Sequence, residues 1–419
     1  MAGVITLLAI VLLIGIIRGQ ASLIMLVSLL LVTTVGLAAW SRWATQALSY
    51  RRFFDPPRIF PGEETTYVVE VVNRRVFPLP WVRIEEHVPA AIVPVRGAAL
   101  HTANSEDPAG RPPQISSDEG WVRRRTVSLG RNERVVLRQR FTCRARGHYV
   151  VGPTAIETGD PLGMFPVHLR APETRSLIVY PRLAVAPPID VDSRFPHGGI
   201  TARPPALEDP ARFVGIRDYL PGDPRRLVDW KASARRLKLQ TRVFAPTTQP
   251  TCIVVLNVQT MEYTWQGYDA TKLEAAIGVA AAAVRDALAA HEAVGLAVNA
   301  CGADMEDFQV FLRPNRRPSQ LEDALSLLAR LSPIPTMGYG QFIHQIARQM
   351  PFGASILAIT AYLDEEGADN LAAIRRRGHD VSLCFLGEES PVPLDPRIRS
   401  VFLPHVEFEY EQMAGSKIG

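Results

Sequence analysis

Apolar and polar positions alternate with three different rhythms along this chain. Residues 1–17, MAGVITLLAIVLLIGII, and 21–40, ASLIMLVSLLLVTTVGLAAW, hold no charged side chain and are separated only by Arg18-Gly19-Gln20. A helix rises about 1.5 Å per residue and a hydrocarbon core is about 30 Å thick, so each run predicts a membrane-crossing helix, the first of marginal length. A cleaved leader is the competing reading, but no Lys or Arg precedes the first run and a second run follows at once. Residues 1–45 are therefore expected to form a transmembrane hairpin. Arg42, Arg51 and Arg52 after the second run outweigh Arg18 in the turn, which puts both termini and everything after Trp40 in the cytoplasm. Trp40 and Trp43 suit either an interfacial anchor or packing in the next domain.

From Arg51 the rhythm becomes period two. TTYVVEVVN, WVRIEEHV, WVRRRTVSL, RVVLRQRFTC and HYVVGPTAI alternate apolar with polar residues and are rich in Val, Ile, Thr and aromatics, the pattern of half-buried strands. With no helical run between them, residues 50–183 are expected to form an antiparallel β-sandwich, acting as a spacer or binding module above the membrane. Residues 101–120, rich in turn formers, predict an edge loop. Asp160-Pro161-Leu162-Gly163-Met164-Phe165 predicts a turn in which Gly163 tolerates positive φ, and SLIVYPRL predicts a further strand. The Pro-rich stretch 184–206 opens a linker region that runs to 250.

From Thr251 strands alternate with helices. CIVVLNV, VGLAVNA, DFQVFLRP, ASILAITAY, HDVSLCFLG and RSVFLP read as strands; TKLEAAIGVAAAAVRDALAAH, SQLEDALSLLARL, GQFIHQIARQM and NLAAIRRRG read as helices. Residues 251–410 therefore predict an α/β domain, a parallel sheet with helices on both faces. Ligands of open α/β sheets bind at the carboxyl ends of strands, which directs attention to the segments after CIVVLNV and ASILAIT. The order of elements, with a short strand third, resembles the von Willebrand factor A domain. Metal-binding members of that fold carry Asp-x-Ser-x-Ser after the first strand, because a hard cation needs oxygen ligands and negative charge. Here Asn257, Gln259 and Met261 stand at those positions, with Asp364 after the later strand. Neutral carbonyls, a thioether and one carboxylate make a poor magnesium site, and no metal or other cofactor is expected.

Composition changes this picture in one place. The 419 residues carry a net charge of +4, whereas residues 203–242 hold ten Lys or Arg and five Asp or Glu, a balance of 10 − 5 = +5. The basic character is thus localised, as on a partner surface. Four cysteines, Cys143, Cys252, Cys301 and Cys384, show no C-x-x-C spacing and read as buried thiols. There is no G-x-x-x-x-G-K-[ST], H-E-x-x-H or G-x-S-x-G, so no catalytic signature supports an enzyme.

Within the basic segment, Tyr219-Leu220-Pro221-Gly222 signals a turn, Asp223 is a candidate helix cap and Pro224 fits the first helical position. A helix is expected from about Pro224 to Arg236, burying Leu227, Trp230 and Ala234 on one face. Arg217, Asp218, Arg225, Asp229 and Arg235 are candidates for an ion-pair lattice that fixes the segment, and exposed arginines for docking a protein partner. General acid/base work by Asp218, Asp223 or Asp229 is the enzymatic alternative. Interleaved carboxylates repel phosphates, which disfavours nucleic acid.

Phe213-Val214-Gly215-Ile216-Arg217-Asp218-Tyr219-Leu220-Pro221-Gly222-Asp223-Pro224-Arg225-Arg226, continued by Val228-Asp229-Trp230-Lys231-Ala232-Ser233-Ala234-Arg235, resembles the hallmark of the bacterial family known as domain of unknown function 58. The DPLGMF turn and the VYPRL strand resemble stretches preceding that hallmark. The resemblance implies a multi-pass protein of the bacterial inner membrane, ending in a von Willebrand A-like domain. It also implies a MoxR-type AAA+ ATPase as partner, and hence an adaptor in assembly or maturation of other proteins. Arg217, Asp218, Tyr219, Pro221, Gly222, Asp223, Pro224, Arg225, Arg226, Asp229, Trp230, Lys231 and Arg235 would be its docking or structural residues; a membrane-associated enzyme using this segment is the alternative.

Overall fold

The computed structural model describes residues 2–45, 48–95, 115–116, 120–185, 208–220, 227–246, 251–302, 310–351 and 354–409. It divides into two units, Met1–Arg182 and Leu183–Gly419, described in turn.

The first unit opens with helices α1 (Ala2–Ile17) and α2 (Ala21–Thr45). Residues Ala21–Trp43 of α2, with mean hydropathy 2.3, are long and apolar enough to cross a membrane; α1 is apolar but shorter. Twelve strands follow among the described residues: β1 (Leu48–Asp55), β2 (Arg58–Ile59), β3 (Glu64–Asn73), β4 (Leu79–Val88), β5 (Ile92–Pro94), β6 (Ile115–Ser116), β7 (Gly120–Leu129), β8 (Arg134–Cys143), β9 (Gly147–Val151), β10 (Thr154–Thr158), β11 (Val167–Ala171) and β12 (Arg175–Val179). They pair as β1-β3-β8-β5, β11-β10-β4-β7-β6 and β2-β12-β9, a sandwich-like set of largely antiparallel sheets. The expected strand HYVVGPTAI is two strands, because Gly152 and Pro153 interrupt it and Pro153 has no N–H to donate to a ladder. The expected edge loop 101–120 lies mostly outside the described residues.

Alternating side chains such as Tyr67, Val69 and Val71 of β3 and Val82, Ile84 and Val88 of β4 form one apolar core. A charged cluster is sealed within it. Glu86 of β4 accepts from the Tyr50 hydroxyl (2.6 Å), the Tyr67 hydroxyl (2.5 Å) and Arg123 Nη1 (3.1 Å), while Arg52 Nη1 reaches both Glu86 and Thr154. Tyr50, Arg52 and Tyr67 belong to the first sheet and Glu86, Arg123 and Thr154 to the second, so the cluster pins the two in register. Burial, followed by the Glu86 charge, pushes both tyrosine hydroxyls well up. Gly152, at φ +111°, leaves the space that the Arg52 guanidinium fills. Arg52 is therefore a core residue and contributes no surface charge to the membrane flank.

The second unit contains β13 (Ala184–Val185), β14 (Glu208–Asp218), α3 (Trp230–Arg236), β15 (Gln240–Pro246), β16 (Thr251–Leu256), α4 (Ala270–Ala289), β17 (Ala293–Val298), β18 (Ala300–Gly302), β19 (Val310–Asn315), α5 (Ser319–Ala329), β20 (Leu331–Pro335), α6 (Tyr339–Gln349), β21 (Ser355–Thr360), α7 (Glu365–Arg376), β22 (Val381–Phe385), β23 (Arg399–Phe402) and β24 (Glu407–Phe408). The main sheet runs β19-β17-β16-β21-β22-β23. It is mixed, not purely parallel: β19 pairs antiparallel with β17. Residues 299–309 join those two strands, a connection shorter than a parallel crossover needs, whereas an antiparallel neighbour requires no crossover. Helix α4 starts at Asp269, whose carboxylate accepts from Thr271 N and Lys272 N, and buries Ala276, Ile277, Gly278 and Ala280 to Ala282. The stretch read as linker is partly structured, since β13 pairs with β24.

Candidate functional site

The segment resembling a family hallmark is built on a two-stranded ribbon. β14 and β15 pair antiparallel with Asp218 opposite Gln240, Arg217 opposite Thr241 and Ile216 opposite Arg242. Between them Val228 bridges Thr241, Asp229 N donates to Gln240 O (2.9 Å), and α3 then begins. Asp229 is its N-cap: Oδ1 accepts from Ala232 N (2.9 Å) and Oδ2 from Arg242 Nε (2.9 Å). The Ala232 N–H, and then the Arg242 guanidinium, hold the Asp229 carboxyl below the usual carboxylate range. Ser233 joins helix to ribbon, donating to Asp229 O (2.6 Å) and accepting from Gln240 N (2.9 Å), and Asp218 Oδ1 accepts from Gln240 Nε2 (2.6 Å).

This geometry corrects the sequence reading in two respects. The helix does not run continuously from Pro224, because Asp229 is extended (φ −89°, ψ 97°) and caps only Trp230–Arg236. Its buried face is Ser233, while Trp230, expected inside, is 70% exposed and Ala234 is exposed too. The bridge of Val228 across the ribbon uses residues that a longer helix would need, and the seven-residue remainder docks through a hydroxyl. The carboxylates are tied by residues the sequence did not single out: Gln240 for Asp218 and Arg242 for Asp229. Arg217 Nη1 donates to Asp218 O (3.0 Å), and Lys231 and Arg235 lie on the exposed side of α3. Tyr219 N donates to Leu239 O (2.9 Å). Pro221, Gly222, Asp223, Pro224, Arg225 and Arg226 lie outside the described residues.

The second candidate is the carboxyl edge of the main sheet. Asn257, immediately after β16, is completely buried. Its Nδ2 donates to Thr360 Oγ1 (2.9 Å) and Tyr362 O (3.0 Å); its Oδ1 accepts from Gln259 N (3.0 Å) and Asn299 Nδ2 (2.8 Å). Backbone partners of opposite kind at the two ends fix which end is oxygen. Asn299, one residue past β17, repeats the device, with Oδ1 accepting from Val258 N (2.9 Å). Thr360 Oγ1 completes the network by donating to Tyr362 O. Asn299 and Thr360 were not apparent from sequence, since Asn299 meets Asn257 across 42 residues of chain.

The residues at this edge do not fit a hard divalent cation. Both lone pairs of Asn257 Oδ1 are occupied by N–H donors, Gln259 Nε2 is turned to Met261 O (3.0 Å) and Glu262 O (3.1 Å), and Asp364 caps α7 by accepting from Gly367 N (2.8 Å). Among the described residues no three His, Cys, Asp or Glu side chains converge as a metal cluster. Around the closed floor stands an aromatic and acidic rim. Tyr263 and Trp265 stack with centroids 5.7 Å apart and planes at 22°, and Trp265 is 79% exposed. Burial, then the charges of Asp364 and Glu262, push the Tyr362 hydroxyl up, and a hydrogen bond to Glu262 does the same for Tyr263.

Comparison with known proteins adds little chemistry. Over 210 residues the chain is 22% identical to "Uncharacterized protein YeaD" of Bacillus subtilis, covering 49% of this chain and 46% of that one, so it spans about half the length of this curated relative. A cohesin module from Clostridium perfringens is 13% identical over 32% of this chain and 98% of its own, with a TM-score of 0.22. The CARDB domain of PF1109 from Pyrococcus furiosus is 14% identical over 32% of this chain and 90% of its own, with a TM-score of 0.19. Such scores carry no argument. Residues 215–381, from the second half of β14 to the first residue of β22, match the model of the family described as "Protein of unknown function DUF58".

Proposed function

We propose that the chain is a membrane-anchored binding and assembly module, whose soluble part captures a protein partner without catalysis. The observation that carries this reading is the carboxyl edge of the main sheet. Where an α/β sheet places its chemistry, this one has a neutral amide floor with its hydrogen bonds used internally and a rim of exposed aromatics beside carboxylates. Exposed Trp and Tyr are the residue types that anchor protein interfaces. The strand order, with its antiparallel member third in sequence among the main-sheet strands, supports a von Willebrand A-like assignment that has dispensed with the cation.

On this reading α1 and α2 are the two arms of a membrane hairpin, the protein is a multi-pass component of the bacterial inner membrane, and the basic flank puts the soluble units in the cytoplasm. The partner is a MoxR-type AAA+ ATPase, supported by the resemblance of residues 213–235, with Arg225 and Arg226 as docking residues. Crosslinking and pull-down from membranes test this: the intact chain recovers an AAA+ ATPase, and Arg225→Glu with Arg226→Glu abolishes recovery. An Asp218→Asn or Asp223→Asn variant that folds and binds its partner, yet loses a measurable turnover, overturns the non-catalytic reading.

A further inference from the structure

We propose that the end of the sandwich-like unit at which α2 enters is itself a membrane-contact surface, seated on anionic lipid headgroups. The proposal rests on the reading of α2 as membrane-spanning and extends it to a surface formed by loops distant in sequence. Strand register brings those loops together: Leu48 lies opposite Asn73, Val72 opposite Arg134, Leu79 opposite Leu129, and Thr158 opposite both Val82 and Val167. The start of β1 at Leu48, the β3–β4 loop (74–78), the β7–β8 turn (130–133) and the β10–β11 turn (159–166) therefore share one end. Hydrogen bonds tie them further, Asn73 N to Glu133 O (2.9 Å), Asn132 N to Arg75 O (3.1 Å) and Trp81 Nε1 to Asp160 O (3.0 Å).

Two ring contacts set the depth of this end. Phe77 meets Trp40 edge-on with centroids 5.1 Å apart and Trp43 at 6.5 Å, so the β3–β4 loop lies level with the last turns of α2, where the apolar helix ends. The tip residues are of the wrong type for water. Val76 is 57% exposed, Leu162 69% and Met164 56%, with Phe77 and Trp43 exposed beside them. Turns ordinarily carry polar side chains, and apolar residues on several adjoining tips mark an interaction surface. The β10–β11 turn is held in shape from within: buried Asp160 accepts from Leu162 N, Met164 N and Phe165 N, and Gly163 takes φ +70°, which leaves Leu162 and Met164 pointing out.

Charge selects the occupant. Arg42, Arg74, Arg75 and Arg131 flank these apolar tips and outnumber the acids there, buried Asp160 and exposed Glu133, which also accepts from Gly130 N (2.5 Å). Apolar tips ringed by arginine, continuous with a membrane helix, match the interfacial layer of an anionic leaflet, apolar groups entering below the headgroups and guanidinium groups pairing with phosphate. These arginines also strengthen the basic flank from which Arg52 has been withdrawn into the core.

The test uses the full chain in lipid nanodiscs with and without phosphatidylglycerol. Val76→Cys, Leu162→Cys, Val35→Cys in α2 and Arg144→Cys just past β8, at the opposite end, are each made in a Cys301→Ser background and carry an environment-sensitive fluorophore. At 76 and 162 we expect blue-shifted emission, quenching by nitroxide-bearing lipid and shielding from aqueous iodide, with position 144 behaving oppositely. Lipid quenching at the tip should fall at least about twofold in discs lacking phosphatidylglycerol, and likewise with Arg74→Glu, Arg75→Glu and Arg131→Glu together. If position 35 is lipid-quenched while 76 and 162 behave like 144, the contact surface is refuted and the anchor stands. If position 35 is not quenched either, the membrane-spanning reading fails and the surface with it. Tip shielding that persists in detergent and grows with protein concentration assigns the surface to a second copy and overturns the proposal.

Discussion

Asn257→Asp exchanges an NH2 for an oxygen with almost no change of shape, and it separates a closed amide floor from a disused metal loop. In the parent, Nδ2 donates to Thr360 Oγ1 (2.9 Å), which is buried, and to Tyr362 O (3.0 Å), which is partly so. The substitution leaves Tyr362 O facing a carboxylate oxygen, and Thr360 compensates only by turning its hydroxyl away from Tyr362. A buried acceptor left without its donor costs about 1–3 kcal/mol. Two such acceptors, less one recovered bond of about 1 kcal/mol, give a loss of roughly 1–5 kcal/mol. That is a large fraction of the ~5–15 kcal/mol that holds a typical domain. Burial raises the folded-state pKa of the new acid above its unfolded value of about 3.9. The unfolded state then ionises first, so the deficit is smallest below that value and grows with rising pH until the folded-state pKa is reached. Hydrogen exchange of the β16 and β21 peptides at pH 5 and pH 8, in the full chain, reads the effect locally. Protection equal to the parent at pH 8, or protection restored by millimolar Mg2+, would refute the reasoning: the first means that the Nδ2 donor bonds do not hold this edge, the second that the position accepts a cation in their place.

Other perturbations address other parts. Glu86→Gln should destabilise the sandwich-like unit by about 3–5 kcal/mol, because Arg52 and Arg123 stay buried without their counter-charge; denaturant unfolding within about 1 kcal/mol of the parent would contradict this. Asp229→Ala should speed amide exchange throughout α3. In the parent, the lowered Asp229 pKa means that protection of α3 is held above the unfolded carboxylate value and lost as pH falls through the folded one, which exchange measured at falling pH checks. Burial pushes the thiols of Cys143 up to about 11 and of Cys252 and Cys384 up to about 12, so a thiol reagent at pH 8 should modify only half-buried Cys301 until the protein is unfolded.

Elements of the α/β sheet were legible because each is a single apolar run or a single periodic helix; CIVVLNV and ASILAIT need no partner to be recognised as buried strands. Direction is not a local property, so nothing in DFQVFLRP distinguishes the antiparallel β19 from a parallel strand. The ribbon was missed for a different reason. Charges and a proline in EDPARFVGIRD hide the strand pattern, and Asp223-Pro224 imitates a helix start so well that the true cap, Asp229, was read as a mid-helix charge. At the sheet edge the sequence showed Asn257, Gln259 and Met261 where the resembled metal loop would carry Asp, Ser and Ser, but not the network that Asn257 enters. Asn299 and Thr360 come together with Asn257 only through the parallel register of β17, β16 and β21.

That network bears on how such an edge would bind. A metal-centred edge is held together by a cation and loses its shape and its affinity when the cation is removed. Here each amide both donates and accepts, so the strand ends are tied to one another with no net charge to neutralise. On the proposed reading, recognition falls to the rim, where Tyr263 and Trp265 present apolar area beside Glu262 and Asp364. Partner capture at this edge should therefore be insensitive to chelators, weakened by salt to the extent that it uses the carboxylates, and sharply reduced by Trp265→Ala, which removes contact area without touching the floor. Pull-down in the presence of EDTA discriminates directly: a partner released by chelation would place a cation back at the centre of binding and return the amide network to a merely structural role.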